Sequence, residues 1–203
     1  MGTITISREI GSSGCQVARA AAQRLGYQVV WRDAINQAAM RAGAPEMALA
    51  VIDDLGLLGL HPDPRAVQAY LRAIAQVLVE LADAGDTVII GRAGQVILRS
   101  REDVFHVRVM APVETRVARL AASRGITPQA AHAQVTASDR SRSLYLRQNY
   151  SAAWDDPDLY DLILNTARLT AEDAGDLIAR ASKFQFSATQ HHAHPAAIEF
   201  DCD

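Results

Sequence analysis

Lysine is almost absent from this sequence of 203 residues. Of its 20 basic side chains only Lys183 is a lysine, and the other 19 are arginines. In the first 182 residues, positive charge for phosphate chemistry must therefore come from an arginine, a histidine or the partial charges of backbone amides. A biased genome composition can produce the same replacement of lysine by arginine, but the constraint on the chemistry holds whatever its origin.

Cysteines and long apolar runs are also scarce. The only two cysteines, Cys15 and Cys202, exclude a disulfide-stapled scaffold and a multi-cysteine zinc module. No run approaches the ~20 apolar residues that span a bilayer, and a strand-like run rather than a signal peptide follows Met1. The net charge of -3 excludes a generally basic nucleic-acid binder. We therefore expect a cytoplasmic protein that binds neither nucleic acid nor a membrane, with an oligomeric state that the sequence leaves open.

Apolar runs alternate with helical patterns along the chain, and 49% hydrophobic residues are enough for one core. This alternation predicts βαβ units and a parallel sheet that is covered on both faces. The expected strands are residues 3–7, 27–31, 87–90, 104–110 and 160–165. The expected helices are residues 15–25, 33–42, 64–84, 95–99, 113–123 and 171–181, with another entered at Thr127 and Pro128. Residues 182–203, which include a polar tract with three histidines, are expected to form a flexible tail.

The first strand runs into a glycine-containing loop and the start of a helix, in the segment ITISREIGSSGCQVA. Backbone amides in such a loop, together with the positive end of the helix, can bind a phosphate group. The segment does not match the GxxxxGK[ST] pattern of a regular phosphate loop, and an ordinary tight turn is an equal alternative. The candidate phosphate-binding residues are Gly11, Ser12, Ser13, Gly14, Cys15 and Gln16.

Several segments in a fixed order resemble the cytidylate kinase-like family of P-loop nucleotide kinases. After the loop come RLGYQVVWRDAINQAA, VIIGRAGQVIL, VMAPVETRVARL, ASDRSRSLYLRQNY and DPDLYDLILNTARLTAEDA, so the resemblance covers about residues 3–181. It implies an α/β three-layer P-loop kinase-like fold with a five-stranded parallel sheet over residues 1–181. It also implies a helical acceptor-binding insertion over about residues 34–84 and a lid over about residues 112–150.

The resemblance also shows where this chain departs from cytidylate kinases. Arg8 falls where they have the first glycine of the loop, Gly14 where they have its lysine, and Gln16 where a serine or threonine coordinates Mg²⁺. Relatives often have an arginine just after the paired glycines, whereas this chain has Cys15, which we interpret as a packing residue. Arg8 or an arginine of the lid is therefore the expected substitute for the missing lysine charge.

Two residues at strand ends are candidates for binding the acceptor. Arg92 follows the third apolar strand and Gly91, and resembles the Gly-Arg pair that meets the acceptor phosphate in cytidylate kinases. A guanidinium there can hold a phosphate through two parallel bonds, although a surface arginine that caps a loop is the alternative. Asp33 follows the second strand, where it can bind the sugar or base, act in proton transfer, or cap the next helix.

The predicted lid carries charged residues at helical spacing. Arg140, Arg142 and Arg147 resemble the lid arginines that close over the transferred phosphoryl group, and Arg8, Arg140 and Arg142 are the expected catalytic residues. Asp139 is expected to pair with Arg142 three residues later. A solvated, salt-bridged helix face is the alternative interpretation of this pattern.

The resemblance implies phosphoryl transfer from ATP, with Mg²⁺, to a nucleoside monophosphate such as CMP, and no residue of the chain is assigned as a metal ligand. The loop without its lysine also suits a nucleotide-binding regulatory or interaction protein that has kept the fold and lost the turnover. A third possibility is a kinase for another small acceptor, such as a nucleoside or a phosphorylated metabolite.

Overall fold

Five parallel strands form one sheet in the order β2-β3-β1-β4-β5 in the computed structural model, which describes residues 2–43 and 63–189. The strands are β1 (Thr3–Arg8), β2 (Gln28–Val30), β3 (Thr87–Ile90), β4 (Val104–Met110) and β5 (Leu162–Asn165). Residues 3–6 of β1 and the whole of β3 are apolar or β-branched because both faces of the sheet are covered. The predicted α/β fold with a five-stranded parallel sheet is confirmed.

Helices connect the strands and cover both faces of the sheet. They are α1 (Gly14–Leu25), α2 (Arg32–Arg41), α3 (Pro64–Ala84), the short α4 (Gly94–Ile97), α5 (Val113–Arg124), α6 (Pro128–Tyr150) and α7 (Ala171–Thr189). Helix α6 begins as predicted, because the Thr127 hydroxyl accepts a bond from the Ala130 amide at 3.2 Å and Pro128 occupies the first turn. None of the helices in residues 2–43 and 63–189 is both long and apolar enough to cross a membrane.

The sheet separates two apolar cores. On one face, α1 and α7 pack against β1 and its neighbours, with Val17 and Ile178 fully buried. On the other face, α2 and α3 pack against β3 and bury Ile35, Ile74 and Leu78. Because helices cover both faces of the sheet, a ligand site is expected at the carboxyl ends of the strands.

Helix α7 extends further than the sequence predicted. It was expected to end at residue 181 with a tail from residue 182, but it continues to Thr189. Its last turns are held by long-range contacts, since Ser182 is fully buried and Phe186 packs on the core beside Gly2. Residues 190–203, with most of the histidine tract, lie outside the described residues.

The two segments expected to serve the acceptor and the lid are both helical. Helices α2 and α3 pack against each other within the predicted insertion, of which residues 44–62 lie outside the described part. Helices α5 and α6 pack as a pair within the predicted lid. Residues of α2 and of α6 lie beside the carboxyl ends of β1 and β3, where open α/β sheets bind their ligands.

Candidate active site

A cavity of about 470 Å³ lies at the carboxyl ends of β1 and β3. Ser7 and Arg8 at the end of β1 form its floor, together with the turn from Gly91 to Ala93 after β3. One face of α6, between Gln134 and Leu146, forms a wall, and Trp154 completes it. With Arg32 of α2 and Arg124 of α5, the cavity is built by six separate parts of the chain that the fold brings together.

The wall of this cavity is strongly positive. It contains five arginines, which are Arg8, Arg32, Arg92, Arg124 and Arg142. None of the aspartates and glutamates in the described ranges belongs to the wall. Several guanidinium groups gathered in one concave site raise the local concentration of anions. The arrangement suits a ligand with phosphate groups.

Arg8 crosses from the glycine loop to the turn after β3. A Cβ on Gly14 would lie 2.5 Å from the Cβ of Arg8, and a Cβ on Gly91 would lie 3.0 Å from its Nη1. Both positions therefore need a side chain no larger than glycine's. Burial lowers the pKa of Arg8, and the neighbouring thiol of Cys15 acts in the opposite direction. The positive charges of Arg32 and Arg92 lower the pKa of Arg8 further.

The predicted phosphate loop lies behind Arg8 rather than in the wall of the cavity. None of residues 11–16 is a wall residue. Ser12 is fully buried. Its hydroxyl donates to the Glu9 carbonyl at 2.8 Å, and its own carbonyl accepts from the Thr166 hydroxyl at 2.7 Å. Gln16 is exposed on α1. The side chain of Arg8 covers Gly14, which separates this loop from the cavity.

Arg92 lies in the cavity wall and is also a buried structural residue. It is only 7% exposed, so a surface arginine that caps a loop is excluded. Its Nε donates to Oδ1 of Asn36 at 2.7 Å, and its guanidinium lies 5.8 Å from the centre of the Tyr70 ring. Arg92 therefore joins the end of β3 to α2 and α3.

The structure does not bring Asp33 into the cavity. Its side chain is 79% exposed, and its carboxylate lies 3.4 Å from Nε of Arg32. Trp31 is the N-cap residue of α2, so the interpretation of Asp33 as the helix cap was wrong. Helix α2 begins one residue earlier than expected, and Arg32 instead of Asp33 reaches the cavity wall.

The three lid arginines separate into one wall residue, Arg142, and two exposed residues, Arg140 and Arg147. Arg142 lies in the wall and donates to the carbonyl and the hydroxyl of Ser138. Burial lowers the pKa of Arg142 to about 10, with Arg8 acting in the same direction. Arg140 is exposed and is not a wall residue. Residues two positions apart in a helix point about 200° apart, so these two arginines cannot share one face.

The predicted pair of Asp139 and Arg142 is replaced by a longer-range pair. The Asp139 carboxylate accepts from Nη1 of Arg116 at 3.0 Å and lies 2.9 Å from its Nη2. Arg116 also lies 3.2 Å from the carboxylate of Glu9, which in turn accepts from Arg108 at 3.3 Å. The sequence reasoning missed these buried pairs, because its pairing rule covered only neighbours on one helix.

Trp154 was missed as well, although a lone tryptophan in a polar segment was a visible signal. Its Nε1 donates to Oγ of Ser7 at 2.9 Å, which fixes the indole against the end of β1. The guanidinium of Arg108 lies 4.7 Å from the ring centre and that of Arg142 lies 5.8 Å from it. The indole therefore makes cation–π contacts with an interior arginine and with a wall arginine.

The residues of the cavity do not form a protein-held magnesium site. Mg²⁺ prefers carboxylate and other oxygen ligands, but no carboxylate belongs to the described part of the wall. Residues 2–43 and 63–189 also hold no group of three or more histidine, cysteine or acidic residues placed to bind an ion. The donor set fits an anion instead.

The chain belongs to the cytidylate kinase-like family, whose sequence profile matches residues 3–168. It is 26% identical over 180 residues to a cytidylate kinase of Natronomonas pharaonis, a match that covers 88% of each chain. An uncharacterised protein from Eubacterium ventriosum has a similar structure, with a TM-score of 0.70, 18% identity and coverage of 90% of this chain and 99% of that one. A gluconokinase from Sinorhizobium meliloti has a TM-score of 0.59, 15% identity and coverage of 95% and 98%.

Proposed function

We propose that this protein transfers a phosphoryl group from ATP to a nucleoside monophosphate such as CMP. The observation that carries the proposal is the cavity at the carboxyl ends of β1 and β3, with five arginines and no carboxylate in its described wall. Membership of the cytidylate kinase-like family supports the class of phosphotransferase. The similarity to a cytidylate kinase over most of the chain supports a nucleoside monophosphate as the acceptor.

In this proposal the arginines position the phosphates and stabilise the charge that develops during transfer. Phosphoryl transfer needs little covalent chemistry from the protein, so positioning and electrostatics provide most of the catalysis. Arg92 holds the acceptor phosphate through its guanidinium, whose position is fixed by Asn36. Arg8 and Arg142 face the transferred group from the floor and from α6. With a pKa of about 10, Arg142 is still a cation at pH 7.

Arg8 takes the place of the lysine that a regular phosphate loop would provide. It reaches the cavity from the end of β1, whereas a loop lysine would extend from the start of α1. The donor is ATP, and Mg²⁺ enters only as the ion that accompanies its phosphates and neutralises part of their charge. Since the cavity wall offers no carboxylate, we assign no residue of this chain to the ion.

A second candidate is a nucleotide-binding regulatory protein with little or no turnover. It is favoured by Gln16, which is exposed and stands where a hydroxyl residue would contact the ion, and by the lack of any lysine before Lys183. Loss of one preorganised charge donor typically costs about 3–4 kcal/mol of transition-state stabilisation. The two candidates differ in turnover, while both require nucleotide binding.

The test is a panel of nucleotide donors and acceptors, scored for thermal shift and for ADP release. Acceptors should include CMP, UMP, AMP, nucleosides and phosphorylated metabolites. ADP release that depends on a nucleoside monophosphate supports the proposal. ADP release that depends on another acceptor would show that the proposed acceptor is wrong and that the protein is a kinase for that other acceptor. Stabilisation without ADP release favours the regulatory candidate, and the absence of both signals contradicts both candidates.

A matched pair of variants connects the signal to the cavity. Arg142→Ala removes a wall arginine, whereas Arg24→Ala removes an exposed arginine that pairs with Asp176 at 3.0 Å, at the opposite end of α1 from the loop. Transfer that is lost in the first variant and kept in the second belongs to the cavity. Equal rates in the two variants would place the reaction elsewhere.

A further inference from the structure

A continuous chain of ion pairs, which is buried except at Asp139, whose side chain is 28% exposed, joins the loop after β1 to helix α6. Arg108 donates to Glu9 at 3.3 Å, and Glu9 lies 3.2 Å from Nε of Arg116. Arg116 then holds Asp139 on α6 through both terminal nitrogens, at 3.0 and 2.9 Å. The chain therefore crosses from the sheet, through the start of α5, to the helix that forms the cavity wall.

The inner members of this chain of ion pairs are buried, so the positions of their charged groups are fixed by the surrounding structure. The side chains of Arg116 and Glu9 are 4% and 9% exposed, and Nε of Arg116 also donates to the Ala111 carbonyl at 2.9 Å. Buried ion pairs add little stability compared with apolar packing, because both charges lose their hydration. Their best-supported role is to select one arrangement among several, since misplacing one partner leaves a buried charge unpaired.

The arrangement selected here concerns the rotation of α6 about its axis. Ser138 and Arg142 are four residues apart and both face the cavity, and Asp139 points from an adjacent face to Arg116. A two-bond contact at Asp139 resists rotation of the helix more than one bond would. Gly11 adds to the fit, because a Cβ there would lie 2.6 Å from the Arg116 carbonyl oxygen.

We propose that Asp139, held by Arg116 and Glu9, is the positioning residue that directs Arg142 into the cavity. This inference rests on the proposed function, since Arg142 matters only if the cavity binds phosphate groups. Asp139 is not itself a wall residue, and it does not touch the reacting groups in this proposal. It acts through the orientation of α6, so that the loop after β1 and the arginine of α6 keep a fixed relation.

The experiment is a double-mutant cycle on the affinity for inorganic pyrophosphate, measured by calorimetry. Asp139→Asn should weaken binding about tenfold in the wild-type background, because a misplaced guanidinium loses a charge-assisted bond. In an Arg142→Ala background the same substitution should change the affinity less than about twofold. Asp139→Glu should recover part of the loss. Additive effects of Asp139→Asn and Arg142→Ala would overturn the proposal.

Two further variants separate positioning from general stability. Asp176→Asn breaks an exposed pair with Arg24 on the far side of the molecule and should leave pyrophosphate affinity unchanged. Arg116→Lys keeps the charge and loses the two-bond geometry, so it should weaken pyrophosphate binding as Asp139→Asn does. It provides the same test if Asp139→Asn folds poorly. Unchanged affinity in Arg116→Lys would contradict the proposal.

The outcome is distinguishable from a failure of the proposed function. Pyrophosphate binding with a non-additive cycle supports the positioning role even if no acceptor yields ADP. A wild type that does not bind pyrophosphate shows that the cavity is not an anion site, and the positioning role then fails whatever the result of the turnover assay.

Discussion

Replacement of Arg92 by alanine tests the acceptor site and the packing beneath it in one variant. Arg92 is 7% exposed and donates to Asn36 at 2.7 Å, so this substitution also disturbs the packing of the fold. A hydrogen bond from a charged group contributes about 1.5–3 kcal/mol, and a cation near an aromatic ring about 0.5–2 kcal/mol. We therefore expect Arg92→Ala to lower the free energy of unfolding by about 2–4 kcal/mol.

The same variant should lose affinity for the acceptor. For a domain of this size, each kcal/mol shifts Tm by about 2–4 °C, so Tm should fall by about 5–15 °C. Calorimetry must therefore be run well below the lower Tm. There, loss of one charge-assisted phosphate contact should weaken CMP binding at least about tenfold. Arg92→Lys should recover only part, since an ammonium group cannot reproduce the two parallel bonds.

Tyr70→Phe is the control for a loosened insertion. It removes the bond from the Tyr70 hydroxyl to Asn36 at 3.2 Å but keeps the ring beside Arg92. It should lower Tm modestly and leave the affinity for CMP near that of the wild type. If Arg92→Ala binds monophosphates as the wild type does, at a temperature where both are folded, Arg92 is a structural residue only.

Three further predictions concern the loop, the sheet and the missing lysine. Arg8→Ala should reduce the turnover of ATP far more than Arg24→Ala, as measured by ADP release, and a robust rate in Arg8→Ala would show that another residue replaces the lysine. Gly11→Ala should lower Tm by several degrees, because Gly11 has a φ of +77° and a Cβ there would lie 2.6 Å from the Arg116 carbonyl. Burial lowers the pKa of His106 below its ordinary value near 6.5, so the unfolded chain binds more protons than the folded protein as the pH falls. The free energy of unfolding should therefore decrease below about pH 6.5, by at most about 1.4 kcal/mol per pH unit. His106→Gln should flatten this fall in urea-unfolding midpoints between pH 7 and 5, whereas His132→Gln, on the exposed side of α6, should not.

The order of strands and helices could be predicted from the sequence because local signals mark it. Three elements, α3, β3 and β4, have the predicted bounds. Helix α3 has Asp63 as its cap and Pro64 in its first turn, and it ends at Gly85, so its limits depend on neighbouring residues alone. The extra turns of α7 could not be predicted in this way, because Phe186 is held by residues at the other end of the chain.

The candidate site could be predicted only where the argument did not depend on helix rotation or long-range pairing. Arg8 and Arg92 follow directly from strand ends, and the sheet brings them to one cavity. On α6, the resemblance gave Arg140 and Arg142 the same role, but only their orientation on the folded helix separates them. At the start of α2, a shift of one residue exchanged Asp33 for Arg32.

In the proposed function, Arg8 supplies the charge of the missing lysine, and this changes where the positive charge of the site is anchored. A loop lysine moves with the loop and with the first turn of its helix, whereas Arg8 is part of β1, which pairs with β3 on one side and β4 on the other. Its side chain passes over Gly14 and reaches Gly91, so two glycines determine its path. The guanidinium is thus fixed by the most central strand of the sheet. Little side-chain entropy is therefore lost when it binds a phosphate. A planar group held in this way can position a phosphate, and a second arginine on the facing wall is the partner that would hold the transferred group from the other side. Arg142, carried by α6 and dependent on Asp139 for its direction, is the residue of the cavity wall best placed to be that partner.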